Sequence, residues 1–540
     1  MARATLVVRG DVLLAASGTG GERAEAIGIA DGRVVTAGTV DAVRATAVSD
    51  AKVIDAGGHA VIPGLHDFHI HLVGLARTRS GVLLDDAADG AEVVARVAAH
   101  AARAPGTWLS GRGWSERQLS GLSLAELDAA TRSRPAVLSS HDGHSAWVSD
   151  AALQLAGVTT STPDPAGGRI ERDERGQPTG ILRETAMDLV ARHAPEPQGD
   201  ALREALDATL RDLAGHGIAG ASEAGDYTDD GGIGADAMFG DSYSTLTGLG
   251  DLLDGRLRMT LGIPADAIDA AAARGLCTGD PLTGRDTLRF GWAKEYADGA
   301  LGSGTAALFA PRTCGEHPDT GIMRVTPDEL DDLLRRSRAA GIGMAIHAIG
   351  DRAAAAVLDA IGRAPARASS MPPDRMEHLQ LLRPSDARRV AGLAVTASIQ
   401  PIHAAADRDL VERCWDGRQD DAYAWRGLVD AGALLAAGSD APIESVNPWL
   451  GVHAALHRRF PTDEREDWRP DQALTVLEAL HAYTLGPAEA IGASDEGHLR
   501  PGARADVAIL PVGLDALLGG SVDWDAIRSV QTLVAGRATT

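Results

Sequence analysis

Three histidines and an aspartate crowd the stretch PGLHDFHIHL, from Pro63 to Leu72. The residues before it, AKVIDAGGHAVIP, are rich in β-branched types and end in proline, the pattern of a strand leaving a turn. Side chains alternate faces along a strand. Asp67, His69 and His71 therefore share one face, and Phe68, Ile70 and Leu72 the other. Two imidazoles at i and i+2 can reach a single divalent ion. Two hydrogen-bonded histidines beside a core are the alternative reading, and further ligands must decide.

Four later stretches offer such ligands. FGWAKEYADGALGSG carries Lys294 and Asp298, and IGMAIHAIGDRA carries His347 and Asp351. DRMEHLQ carries His378, and LLAAGSDAPIESVNPW carries Asp440. Singly, each has an ordinary explanation. A histidine ending an apolar strand is often a hydrogen-bonded core residue, and an aspartate after Gly-Ser is often a helix N-cap. Together they place a lysine, histidines and an aspartate at or near successive strand ends. The lysine stands out because the chain has only two, Lys52 and Lys294, against 49 arginines. Coding bias favours arginine here, so a lysine that persists can be doing what a guanidinium cannot. It can lose its proton and react as an amine.

The elements that must position these residues fall into two patterns. Both chain ends read as short strands with glycine turns, including a hairpin signal at Asp31-Gly32. Neither end is large enough to bury a core alone, so one small β-sandwich built from residues 1–62 and 488–540 is expected. Between them, helical stretches alternate with short apolar strands, which implies a parallel sheet. Function at the C-terminal ends of successive parallel strands is the habit of a (β/α)8 barrel, expected over 63–487. The region of about 75–221 is too long for one βα unit and reads as an insertion over the barrel mouth. The glycine-rich TDDGGIGADAMFGDSYSTLTG reads as a loop or lid.

Composition bounds the function. The 540 residues are 44% hydrophobic and 23% charged, as in ordinary globular proteins. Net charge is 51 − 75 = −24, which argues against nucleic acid or an anionic membrane as partner. Cys277, Cys314 and Cys414 are widely spaced and odd in number, so no disulfide framework and no cysteine-based zinc site is expected. The opening MARATLVVRGDVLLAASG reads as strands rather than a secretory signal, and no apolar run is long enough to span a bilayer. A cytoplasmic protein is expected.

The blocks VIDAGGHAVIPGLHDFHIH, GRGWSE, DGHSAWVSDAAL, GGRIERDERGQPTGILRETA, KEYADGALGS, HAIGDRA, EHLQ, GSDAPIESVNPW and GARADVAIL occur in order over nearly the whole chain. This series resembles the amidohydrolase superfamily of metal-dependent hydrolases. The resemblance is to its YtcJ-like branch, amidohydrolase family 3, which includes N-substituted formamide deformylase. It implies a (β/α)8 TIM barrel with a small β-sandwich from both termini, and one or two divalent ions, zinc by the donor types. His69, His71, His347, His378 and Asp440 are the implied ligands, with Lys294 carboxylated as a bridge. Asp440 is also the implied general base, and His144 helps polarise the substrate carbonyl. Trp114 and His144 match blocks that face substrate, while His141 and Asp142 could equally hold a loop. Asp67 and Glu377 are expected to orient the ligand histidines. One departure is Gly304, where the family often has arginine. The implied reaction is hydrolysis of an amide-type C–N bond in a small molecule, N-acyl, N-formyl or cyclic. The expected assembly is a homo-oligomer, a dimer. A one-metal deaminase or imide hydrolase is the nearest alternative, and a non-catalytic metal-binding regulator a more distant one.

Overall fold

The computed structural model describes residues 2–17, 21–79, 81–84, 87–103, 108–119, 121–140, 145–165, 168–194, 199–225, 241–282, 284, 287–314 and 319–539. Eight parallel strands form the central sheet. They are β1 (Leu65–Ile70), β2 (Ile218–Glu223), β3 (Arg258–Pro264), β4 (Leu288–Tyr296), β5 (Met344–Ala348), β6 (Arg375–His378), β7 (Thr396–Ile399) and β8 (Leu434–Ala437). Each pairs with its sequence neighbour in the order β8-β7-β6-β5-β4-β3-β2-β1. Nearly every strand residue is buried, so the sequences read as small and apolar runs without alternation. Helices follow the strands and carry clear start signals. Thr326 and Glu329 form a capping box with Pro327 opening the helix Pro327–Ala340.

The two ends of the sheet meet beyond the last strand pair. The Asp440 N–H donates to the His69 carbonyl at 2.7 Å, and the His71 N–H donates to the Ala441 carbonyl at 2.8 Å. Gly438 makes this approach possible, since a Cβ there would lie 2.3 Å from the His69 nitrogen. The expected barrel is therefore present, and its seam runs through two of the chemistry-bearing segments.

Both termini enter one seven-stranded sheet, in the order Arg537–Ala538, Gln531–Val534, Val507–Leu510, Ala47–Pro63, Ala4–Ala15, Glu22–Ala30, Arg33–Gly38. Asp31 and Gly32 both take positive φ, 49° and 74°, as a tight hairpin turn requires. Val8, Ile27, Val61, Val507 and Leu533 fill a core that neither end could build alone, giving a sandwich-like domain. The Arg258 guanidinium at the start of β3 bonds Asp506 at 2.6 Å and ties this sheet to the base of the barrel.

Residues Val73–Thr209 form a second compact unit. Its six-stranded sheet runs Gly168–Arg172, Pro178–Glu184, Ser145–Val148, Ala136–Ser140, Leu109–Trp114, Val82–Leu83. Trp114 and Trp147 belong to the core of this unit, packed with Val93, Val97, Leu127 and Leu138. The Trp114 indole N–H donates to the Leu138 carbonyl at 2.6 Å. That bond and its burial correct the expectation that Trp114 faces substrate. His141, Asp142 and His144 lie outside the described residues. So does most of the glycine-rich stretch expected as a lid, while Asp241–Gly248 is a helix.

The cysteines also correct an expectation. Cys314 and Cys414 are joined in a disulfide, and Cys277 is free and exposed. The pair is separated by 100 residues in sequence. Only the folding of the loop after β4 against the C-terminus of the helix Pro401–Cys414 brings them together, and spacing alone cannot show that. Among the described residues, no helix is long and apolar enough to cross a membrane.

Candidate metal centre

Strand alternation sends Phe68 and Ile70 into packing and His69 inward, all of them buried. The Glu377 carboxylate lies 2.5 Å from His69 Nδ1. A carboxylate only accepts, so Nδ1 carries the proton and Nε2 keeps its lone pair. Glu377 is held in turn by the Arg375 guanidinium, which also donates to the Phe68 carbonyl at 2.8 Å. Burial alone would raise the Glu377 carboxyl, but Arg375 and then His69 hold it well below its ordinary value. Glu377 is thus an orienter of His69, as expected. Asp67 is not. Its carboxylate accepts from the His69 and Ser439 backbone N–H groups and the Ser439 hydroxyl, so it fastens the backbone on both sides of the seam.

His378 is set in the same way. The Gln400 amide oxygen lies 2.8 Å from its Nδ1, so that nitrogen donates and Nε2 offers a lone pair. Asp440 Oδ1 lies 3.3 Å from His69 Nε2 and 3.4 Å from His71 Nε2. His69, His378 and Asp440 bring one ligand atom each to within 4.8 Å of one another. For His69, a lone pair facing a carboxylate oxygen is repulsive unless a cation stands between them. Tetrahedral zinc with bonds of ~2.0–2.1 Å sets its ligands ~3.3–3.4 Å apart, which the two histidine–carboxylate distances match. The donor set therefore fits a divalent cation.

His347 and Lys294 lie beside this group without joining it. The His347 Nε2–H donates to the Gly299 carbonyl at 3.1 Å, and its ring centroid is 4.6 Å from that of His378. Burial, with Lys294 next, lowers the His347 pKa to about 3, so the ring is neutral. Lys294 is 3% exposed, with Nζ 4.8 Å above the centre of the Tyr296 ring. Burial lowers its pKa, opposed by the Glu377 and Asp440 carboxylates. Asp298 and Asp351 serve the loops. Asp298 accepts backbone N–H bonds from Ala307, Ile349 and Gly350, and Asp351 accepts from Phe309.

Residues 52–539 match the amidohydrolase family. The chain belongs to that family. It is a hydrolase of carbon–nitrogen bonds other than peptide bonds. This amidohydrolase is 32% identical to YtcJ of Bacillus subtilis (strain 168) over 91% of each chain. It is 28% identical to N-substituted formamide deformylase of Arthrobacter pascens over 90% of each chain. An uncharacterized metal-dependent hydrolase from Pyrococcus horikoshii OT3 superposes with a TM-score of 0.76 at 26% identity, covering 96% of this chain and 99% of that one.

The amidohydrolase site also holds residues that sequence reasoning passed over. Glu223 ends β2 with Oε1 3.8 Å from His71 Nδ1, and its Oε2 accepts from the Leu72 N–H at 2.8 Å. Gln400 orients His378, and Gln380 touches His403, whose ring lies 6.0 Å from that of His378. The signal was available. Each follows or ends a short apolar strand, the same rule that selected His347 and Asp440. At Gly304, φ is +71° and any Cβ would meet the Arg312 guanidinium at 1.9 Å. Arg312, paired with Asp319, fills the space a side chain there would need.

Proposed function

We propose that this amidohydrolase cleaves an amide-type C–N bond in a small molecule, of the N-acyl, N-formyl or cyclic amide class, using zinc. The observation that carries the reading is the convergence of His69, His378 and Asp440, with Glu377 and Gln400 aiming the two rings. His69, His71, His378 and Asp440 would hold the ion. When bound, zinc supplies a Lewis acid for the carbonyl and makes an attacking water acidic enough to ionise near neutral pH. The chain's own residues handle the proton. Asp440 takes it from the water on a carboxylate oxygen and returns it to the leaving nitrogen, so the base of the first step is the acid of the second. Asp440, His69 and His378 are buried, which strengthens each of these contacts, while His71 is partly exposed.

Two forms of the centre differ in ion count. The turn of His347 toward Gly299 favours one ion. The buried, pKa-lowered amine of Lys294 favours two. There the neutral amine would add to CO2, forming a C–N bond with loss of a proton, and the anionic carbamate and His347 would help hold the second ion. Metal per chain, measured beside turnover on N-formyl, N-acyl and cyclic amides, tests the whole reading. Expected are one or two zinc ions and turnover of at least one class. Bound zinc without hydrolysis of any amide would overturn it.

A further inference from the structure

His403 sits in the first turn of the helix that follows β7, 9% exposed. Nothing above assigns it a role. Among the described residues its Nε2 has no hydrogen-bond partner. The nitrogen points at the proposed centre, 3.5 Å from Asp440 Oδ2, the carboxylate oxygen on the far side from His69 and His71. A buried polar atom left without a partner costs stability, so such an atom aimed into a site marks a place where a ligand completes it.

The other ring nitrogen decides what His403 can offer. Gln380 Nε2 lies 3.2 Å from His403 Nδ1. An amide NH2 only donates, so Nδ1 accepts and Nε2 carries the ring's N–H. This is the reverse of His69 and His378, whose Nδ1 atoms face oxygen acceptors. Those two rings present lone pairs, while His403 presents an N–H. A ring with its proton toward the centre cannot bind a cation there, but it can donate to an oxygen.

We propose that His403 is a catalytic hydrogen-bond donor that contacts the substrate's carbonyl oxygen beside Asp440 and strengthens that bond as the oxygen gains charge. This deepens the amide-hydrolase reading and rests on it. The product carboxylate keeps the same oxygen, so the donor also binds carboxylates. Removing a donor that acts mainly in the transition state lowers kcat and kcat/KM together and leaves KM nearly unchanged.

The test uses the full-length, zinc-loaded protein with His403→Met, which fills similar space without a donor, and His403→Gln, which retains one. Zinc per chain, kcat and KM on the best amide of the panel, and acetate binding by calorimetry are measured for each. His403→Met is expected to keep the parent's zinc, lose about 10²–10³-fold in kcat, and bind acetate about 10-fold more weakly. His403→Gln is expected to recover most of both losses. Loss of zinc in His403→Met would make His403 a ligand and overturn the proposal. Parent-like kcat and acetate affinity would overturn it equally. If His403→Met does not fold, Gln380→Glu decides. A carboxylate there would accept from Nδ1, move the ring proton off Nε2, and bring the same losses; parent-like values would again sink the idea. Should the parent hydrolyse no amide, the functional reading fails, while acetate affinity and zinc content still decide the role of His403.

Discussion

Replacing Glu377 by glutamine probes the step that turns a histidine into a ligand. Both carboxylate oxygens are engaged, Oε2 with His69 Nδ1 at 2.5 Å and Oε1 with the Arg375 guanidinium, and the residue is fully buried. Glutamine is nearly isosteric but has one acceptor and one donor. If its oxygen stays with Arg375, its NH2 faces His69 Nδ1 and forces the proton onto Nε2, toward the cation. If the amide turns over, NH2 meets the Arg375 N–H and the guanidinium loses its partner. In the first case the cost falls on His69, in the second on Arg375. An orienting partner of this kind is worth about 10–100-fold in metal affinity, or ~1.4–2.7 kcal/mol. Leaving Arg375 without its charge partner costs the fold up to about 3–5 kcal/mol, softened by its stacking 4.1 Å over the Phe68 ring. The two effects separate by experiment. Chemical unfolding of the metal-free protein reads the second. The extra stability gained at a fixed excess of zinc shrinks by the first, because that gain follows RT ln(1 + [Zn]/Kd). Competitive zinc titration should give the same shift. A Glu377→Gln protein that matches the parent in both zinc affinity and metal-free stability would refute the tautomer argument and remove His69 from the proposed ligands.

Three further outcomes are expected. Asp440→Asn should lower kcat by about 10²–10⁴-fold, the usual share of a general base, with zinc weakened; an unchanged kcat points to another base. Lys294→Arg should lose one zinc and most activity in the two-ion form, because a guanidinium cannot form a carbamate; full activity and metal would limit Lys294 to a structural cation. The folded parent should titrate one thiol, Cys277, before reduction, and Cys314→Ser should titrate two and lose about 2–4 kcal/mol of stability. A parent with three titratable thiols would remove the disulfide.

The barrel and the ends of its strands were legible because their rules are local. A short apolar run followed by a polar residue and a helix start needs no knowledge of what lies across the sheet. His69, His347, His378 and Asp440 all obey that pattern. Partners across the sheet are set by register, which no single stretch reports. Glu377 could be named as an orienter, yet its pairing with His69 spans 308 residues. Gln400 and Gln380 both follow apolar strands, but a lone amide there is common and escaped notice. His403 was hidden inside a helix rather than at a strand end. Trp114 misled for the opposite reason. Its place in GRGWSE matched a family block that faces substrate, while strand pairing turned its ring into a separate core.

The backbone at the site shows why these residue types stand there. His378, Leu379 and Asp440 all have positive φ, 75°, 47° and 59°. Each such non-glycine residue costs about 1–3 kcal/mol and persists only where its surroundings fix it. The fixing contacts are specific. The Leu379 N–H donates to the Ala348 carbonyl at 3.1 Å, and the Asp440 N–H to the His69 carbonyl at 2.7 Å. The Ser439 hydroxyl donates to Asp67 at 2.6 Å, which anchors the strand exit before Asp440. Ordinary alternation would carry the side chain after each strand away from its predecessor's neighbours. A left-handed residue at the strand exit breaks that alternation and turns the ligand across the barrel end. Aspartate and histidine are among the non-glycine residues that enter this conformation most readily. At His378 and Asp440 the residue that can bind the ion is therefore also one that can take the bend, and glycine, which bends more easily, would bring no ligand.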